Sequence, residues 1–202
     1  METLSLRERQ HKLREDVILH AVNRLLAEKG YDLMTVDEVA AVVGIAKASL
    51  YKHFESKELL AAAAMVRLLE RTLEIIATLP ASAAPIEKLQ SLVRWAVREH
   101  LRGEMPALPS TRSALREALS HHKPYLDRLL KVTEHLSGWI EAAQGDGSLN
   151  GGLPAEVVLY TIFARACDPV ADYLQLSGAY DDEEIVDLIA ATCFTGLLRR
   201  PS

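Results

Sequence analysis

Five side chains between positions 47 and 57 carry hydrogen-bond donors suited to nucleic acid: Lys47, Tyr51, Lys52, His53 and Lys57. A helical turn advances about 100° per residue, so Lys47, Ala48, Tyr51 and Lys52 share one face and Ser49 and His53 lie at its margins. Ala46, Leu50 and Phe54 fall on the opposite face. A small residue flanked by two cations and a phenol fits a major groove. Ala48 lets the backbone approach, and Lys47 can reach a guanine edge or a phosphate. Tyr51, Lys52 and His53 can donate to phosphate oxygens. Ser56 is a good N-cap for the next helix, and its first turn, with Lys57, offers unpaired N–H groups to an anion.

These residues need a scaffold, and the preceding segment supplies one. Thr35 and Glu38 have the spacing of a capping box. Val36, Val39, Ala40 and Val43 follow at i, i+3, i+4 and i+7, one stripe of a helix. Gly44 stands where a helix stops on a left-handed residue, and Ile45 restarts the apolar pattern. So short a turn makes the second helix, Lys47 to His53, cross the first steeply, as in a helix-turn-helix. Upstream, Leu13, Val17, Ile18, Ala21, Val22, Leu25 and Leu26 form the stripe of a supporting helix that Lys29-Gly30 closes. Arg7, Arg9, His11, Lys12 and Arg14 precede it, either as a solvated tail or as an arm. Leu4 and Leu6 are not followed by the apolar stretch of a secretory signal.

Composition narrows the classes. The 202 residues include 23 Lys+Arg and 28 Asp+Glu, a formal net charge of -5, and 49% are hydrophobic. That supports a real core and excludes disorder. Residues 1–60 carry nine basic and ten acidic side chains, so the cationic surface is a narrow stripe on a near-neutral domain. Few phosphate contacts and dependence on site sequence follow, rather than non-specific coating of DNA. No apolar run has the length of a membrane span, and a cytoplasmic location is expected. Cys167 and Cys193 read as small hydrophobes in a reducing compartment. The seven histidines form no i, i+4 pair and no Cys/His cluster, so neither a metal site nor a cofactor is expected.

The run GIAKASLYKHFESKELL resembles the N-terminal DNA-binding domain of the TetR family of transcriptional regulators. Gly44, Lys47, Leu50-Tyr51, His53-Phe54 and Ser56-Lys57-Glu58 carry the resemblance, with Thr35-Val36 and Ile45 before them. It covers about a quarter to a third of the chain; the rest matches only in length and helical plan. The resemblance implies DNA contacts at Thr35, Val36, Lys47, Ala48, Ser49, Tyr51, Lys52, His53 and Lys57, and a basic arm that reaches the minor groove or neighbouring phosphates. One departure is Ala46, where members often have a capping Ser; its absence costs about 0.5–2 kcal/mol in a typical helix. The fold implied is all-α, about nine helices, with a helix-turn-helix domain at 1–55 and a helical effector-binding and dimerisation domain at 56–202.

No strand signal follows Lys57. Helices are expected at Ser56–Thr78, Pro85–Arg102, Ser110–Ser120, Pro124–Ala143, Pro154–Leu176 (kinked at Asp168-Pro169) and Asp181–Arg199. The last helix is apolar nearly all round, and the one before it has only a narrow polar stripe of Thr161, Arg165, Asp168 and Asp172. Such helices need neighbours on every side. A two-fold interface between two copies meets that need, with Tyr173, Ile185, Val186, Ile189, Cys193, Phe194, Gly196 and Leu197 as its residues and Ala190 and Gly196 permitting close approach. The alternative is a wholly internal core helix. The resemblance also implies dimerisation through the last two helices. A homodimer would read an inverted-repeat operator in double-stranded DNA.

Candidates for an effector pocket are Trp95, His100, Tyr125, Trp139, Tyr160, Phe163 and Arg165. Few charges point inward, which favours a small apolar or aromatic effector. The function expected is a sequence-specific transcriptional regulator, a repressor released from its operator by that effector. Two other classes compete: a helical enzyme and a helical interaction module without DNA binding. No nucleophile–base pair, paired carboxylates, phosphate loop or metal spacing supports an enzyme, and Arg165 with Asp168 reads as a helix-surface ion pair.

Overall fold

Ser5 starts the first helix, α1 (Leu6–Leu33), through a capping box: the Glu8 N–H donates to Ser5 Oγ at 3.3 Å and the Ser5 N–H to Glu8 Oε2 at 2.8 Å. In the computed structural model, which describes residues 5–106 and 113–197, Arg7 to Arg14 are therefore helical and exposed rather than a loose tail. The expected apolar stripe is shorter than its sequence pattern. Leu13 and Val17 are exposed, and burial begins at Ile18 and continues through Val22, Leu25 and Leu26. Gly30, with φ 75°, breaks the helical path, and the Met34 N–H returns to the Gly30 carbonyl at 3.2 Å.

α2 (Val36–Val43) has both halves of its capping box and ends on Gly44 in the left-handed conformation, φ 74°. Gly44 is the residue type that tolerates this turn without Cβ strain. α3 (Lys47–Leu50) begins at Ala46, whose side chain makes no cap, and the following turn extends it: the Phe54 N–H reaches the Leu50 carbonyl at 3.0 Å. Leu50 is fully buried and Phe54 half-buried, but Ala46 is exposed at the helix start instead of packed beneath it. Ser56 caps α4 (Lys57–Thr78) by accepting from the Leu59 N–H at 3.1 Å.

α5 (Pro85–Leu101), α6 (Ala114–Ser120), α7 (Lys123–Gly145), α8 (Ala155–Arg165), α9 (Pro169–Ser177) and α10 (Asp182–Phe194) complete ten helices among the described residues. Three boundaries differ from the sequence pattern. The segment 154–176 is two helices, because Asp168 leaves the helical conformation to cap α9, accepting from the Val170 N–H at 3.0 Å, with Pro169 in the first turn. α10 ends at Phe194, and Gly196 at φ 74° lies beyond it. Gly196 and Leu197 are therefore not helical interface positions, while Leu198 and Arg199 lie outside the described residues. α6 starts after Ser113, whose hydroxyl accepts from the Arg116 N–H at 3.2 Å; Ser110, Thr111 and Arg112 also lie outside the described residues.

The described residues form two compact units, one within Met1–Leu69 and Pro106–Asp127, the other within Glu70–Met105 and Arg128–Ser202. In the first, α2 packs on α1 and α3. In the second, α10 packs on α5, α8 and α9. Its core includes Leu89, Val93, Val97, Ile140, Ile185 and Val186. Glu99, almost fully buried there, is held by Arg71 and by Arg102 at 3.0 Å. None of the described helices is long and apolar enough to cross a membrane.

Candidate nucleic-acid interface

The first unit presents α3 as its reading surface. Lys47, Ala48, Tyr51 and Lys52 are exposed, Ser49 is half-buried at the margin, and Leu50 on the opposite side is 1% exposed. One apolar anchor thus fixes the rotation of the helix, and four side chains on the other side face solvent. Lys47 Nζ donates to Asp37 Oδ2 at 2.8 Å, and this pair raises the Lys47 pKa. Lys57 Nζ sits 4.3 Å from the centre of the Tyr31 ring, a cation–π contact. The Tyr31 hydroxyl in turn donates to Glu58 Oε1 at 2.8 Å. Burial, then the Glu58 hydrogen bond, push the Tyr31 phenol well above its ordinary pKa. Lys57 is thereby held at the start of α4.

Two proposed contacts change character. Val36 is buried at 9% exposure, so its side chain supports the turn and does not lie open on the reading surface. His53 is 9% exposed and packs against the His11 ring, with centroids 4.4 Å apart; it is no free phosphate donor. Thr35 is exposed but occupied as a cap, accepting from the Glu38 N–H at 3.2 Å. Asp37 and Tyr31 are participants that sequence reasoning missed. Asp37 is one of several acidic residues in a helix first turn, and nothing in its spacing announces Lys47 ten residues on.

Glu38 ties the scaffold together. Its carboxylate accepts from Lys29 Nζ at 2.8 Å and from the Thr35 N–H at 2.9 Å. The Lys29 hydrogen bond and then the Thr35 contacts lower its pKa from 4.5 to about 2. A depressed carboxyl pKa stabilises the fold fully above the unfolded value, and that contribution disappears as pH falls through the folded one. Glu38→Gln should therefore lower the thermal midpoint at pH 7, and the gap from the parent should close between pH 4.5 and about 2. A gap that is constant with pH would contradict this origin.

The second unit holds most of the pocket candidates. His100 Nε2 bonds Asp172 Oδ1 at 2.8 Å, while its Nδ1 is buried without a hydrogen-bond partner. Arg165 pairs with Asp168, and its Nε is likewise buried and unpartnered. Asp168 is 7% exposed, so this is a partly buried cap rather than a surface pair. Trp95, Phe163 and Trp139 are half-buried, and Lys88 Nζ lies 5.9 Å from the Trp139 ring centre. Tyr160 is 61% exposed on α8, a surface residue and not a pocket wall. Tyr125, in the first unit, is half-buried, and that burial raises its pKa.

The interface candidates also divide. Ile185, Val186 and Ile189 are at most 3% exposed inside the chain's own core and are not available to a second copy. Cys193 and Phe194 are half-buried, and Tyr173 and Leu197 are exposed. Exposed apolar side chains that the pattern did not single out include Val157 on α8 and Leu188 on α10. Neither cysteine forms a disulfide, and burial raises the Cys193 thiol pKa.

Among the described residues, which are helical throughout, a helix-turn-helix with an exposed, partly cationic second helix has the form of a DNA-reading domain. Residues 18–64 match the model of the bacterial regulatory proteins of the tetR family. Residues 18–64 are therefore similar to the DNA-binding domain of the TetR family of transcriptional regulators. Over 44 residues it is 50% identical to the biofilm operon icaADBC HTH-type negative transcriptional regulator IcaR of Staphylococcus aureus. That match covers 22% of this chain and 24% of IcaR, so the chain spans about a quarter of the length of this relative. The fold extends further. The fatty acid degradation regulator FadR from Bacillus halodurans superposes with a TM-score of 0.69 at 18% identity, over 98% of this chain and 100% of that one. AibR, solved in complex with isovaleryl coenzyme A and operator DNA, superposes at 0.63 with 22% identity, over 90% of this chain and 98% of AibR.

Proposed function

We propose that this protein is a repressor that binds an inverted-repeat operator as a homodimer and leaves it when a small apolar effector binds. The observation that carries this is the exposed face of Lys47, Ala48, Tyr51 and Lys52 opposite the buried Leu50. Residues 1–55 supply the reading head and residues 56–202 the effector site and dimer surface. One α3 reads only a few base pairs, so two copies related by a two-fold axis are needed for a useful site. IcaR, 50% identical over 44 residues, is a negative regulator, which favours repression.

Pairing is assigned to exposed apolar side chains of α8 and α10, among them Val157, Tyr160 and Leu188. Tyr160→Asp combined with Leu188→Asp should convert a dimer into a folded monomer in sedimentation velocity and abolish operator binding; a dimer that survives both changes would remove α8 and α10 from the interface.

The effector is assigned to the second unit, where His100 Nδ1 and Arg165 Nε offer buried, unpartnered polar atoms beside half-buried aromatics. AibR was solved with isovaleryl coenzyme A. Its short branched acyl chain, and not its polyanionic coenzyme part, is the portion that fits an apolar site. Small branched acyl compounds are therefore the first ligands to try, and the coenzyme A thioester is the comparison. Such a ligand acts only if its affinity differs between the DNA-bound and free conformations. Selection of bound sequences from random duplexes tests the DNA claim: enrichment of an inverted repeat is the expected outcome, and enrichment of nothing would refute it.

A further inference from the structure

His53 projects from the turn after α3 back onto α1, where it meets His11 and Glu15. Glu15 Oε1 lies 3.5 Å from His11 Nδ1 and 3.5 Å from His53 Nδ1, and one donor atom from each of the three residues falls within 4.8 Å of the others. His53 is more than nine-tenths buried, and its Nδ1 has no hydrogen-bond partner. A buried polar atom without a partner costs about 1–3 kcal/mol, so a group that satisfies it has a ready advantage.

We propose that His11, Glu15 and His53 form a binding site for a divalent transition-metal ion, with Zn2+ the best match. Two imidazoles and one carboxylate make a borderline-soft donor set that suits zinc and not calcium or magnesium, which prefer all-oxygen shells. The spacing agrees. Around a tetrahedral zinc with bonds of about 2.0–2.1 Å, neighbouring donors stand about 3.3 Å apart. Both Glu15 separations are within a few tenths of that. His11, with 56% of its side chain exposed, has the freedom to close the third edge. His11 and Glu15 lie one helical turn apart on α1, and their side chains project to the same side. Three protein ligands leave one coordination position for water.

The site joins the N-terminal turns of α1 to the end of the recognition segment. A bound ion pins His53, two residues after Tyr51, to the scaffold helix. This role is separate from operator binding and from the effector site, and it is tested without either.

The full chain is stripped with a chelator, and Zn2+ is titrated in competition with a chromogenic chelator; Co2+ serves as a spectroscopic probe and Mg2+ as a control. The expected result is one Zn2+ per chain, a visible Co2+ spectrum of four-coordinate type and no response to Mg2+. His11→Ala and Glu15→Gln each remove a ligand at a partly exposed position. Each should weaken Zn2+ binding by about 10-fold or more, since even outer-shell losses cost about 10–100-fold, with unchanged far-UV circular dichroism. Binding that stays equal in the parent and both variants would place the ion elsewhere, for example at the adjacent His121 and His122, and overturn the assignment. A parent chain that takes up no Zn2+ would overturn it as well.

Discussion

Tyr51→Ala should weaken operator binding by about 30-fold or more without loss of fold. Tyr51 is 42% exposed on the reading face, and its hydroxyl is not needed by the core. A hydrogen bond to a charged phosphate oxygen is worth about 1.5–3 kcal/mol, and in a dimer the loss is counted twice. Lys52→Ala provides the contrast. It removes a charge, so it should reduce the slope of log affinity against log salt by about 0.9 per subunit. Tyr51→Ala should leave that slope unchanged, because a phenol displaces no counterion. Fluorescence anisotropy on the selected operator, at several salt concentrations, separates the two. If affinity and slope both survive Tyr51→Ala and Lys52→Ala, α3 is not the reading helix.

Leu50→Ala should cost about 2–5 kcal/mol of stability in the first unit. Leu50 is 1% exposed and is the apolar anchor of a helix only four residues long. So short a helix has little stability of its own, and Ala46 gives it no side-chain cap. Packing must hold it. Typical domains have about 5–15 kcal/mol in total, so the substitution removes a large share. Urea unfolding, followed by circular dichroism, should show the lower midpoint, and operator binding should fall with it because the reading face loses its fixed orientation. A midpoint within error of the parent would mean that the turn from Tyr51 to Phe54, and not Leu50, anchors α3.

The helix-turn-helix was legible because its signals are local. Thr35 with Glu38, then Gly44, then the apolar stripe of α2 each act within a turn or two of themselves, and all appear where the spacing puts them. Asp181 with Glu184 is another local cap that the structure contains. What escaped depends on residues distant in sequence. Ile185 and Val186 read as surface for a second copy because an all-round apolar helix does not say whose residues surround it; α5, α8 and α9 of the same chain do. His53 read as a phosphate donor because helical periodicity gives a direction but not the neighbour, and His11 lies 42 positions upstream. The Asp168 break was seen only as a kink, since Pro169 marks the disruption but not that Asp168 would leave the helix to cap the next one. Leu13 and Val17 share the stripe of α1 but extend past the residues able to cover them.

Lys47 already holds Asp37. To grip a phosphate or a guanine it must exchange one partner for another, and since both groups are exposed the exchange trims the gain from its charge on any stretch of duplex only slightly. Only a sequence that supplies further bonds to the neighbouring side chains repays the exchange. The competition that matters in a genome is against the vast excess of wrong sites. A tethered carboxylate that discounts every wrong site equally shortens each futile stop and leaves more molecules free to find the right one.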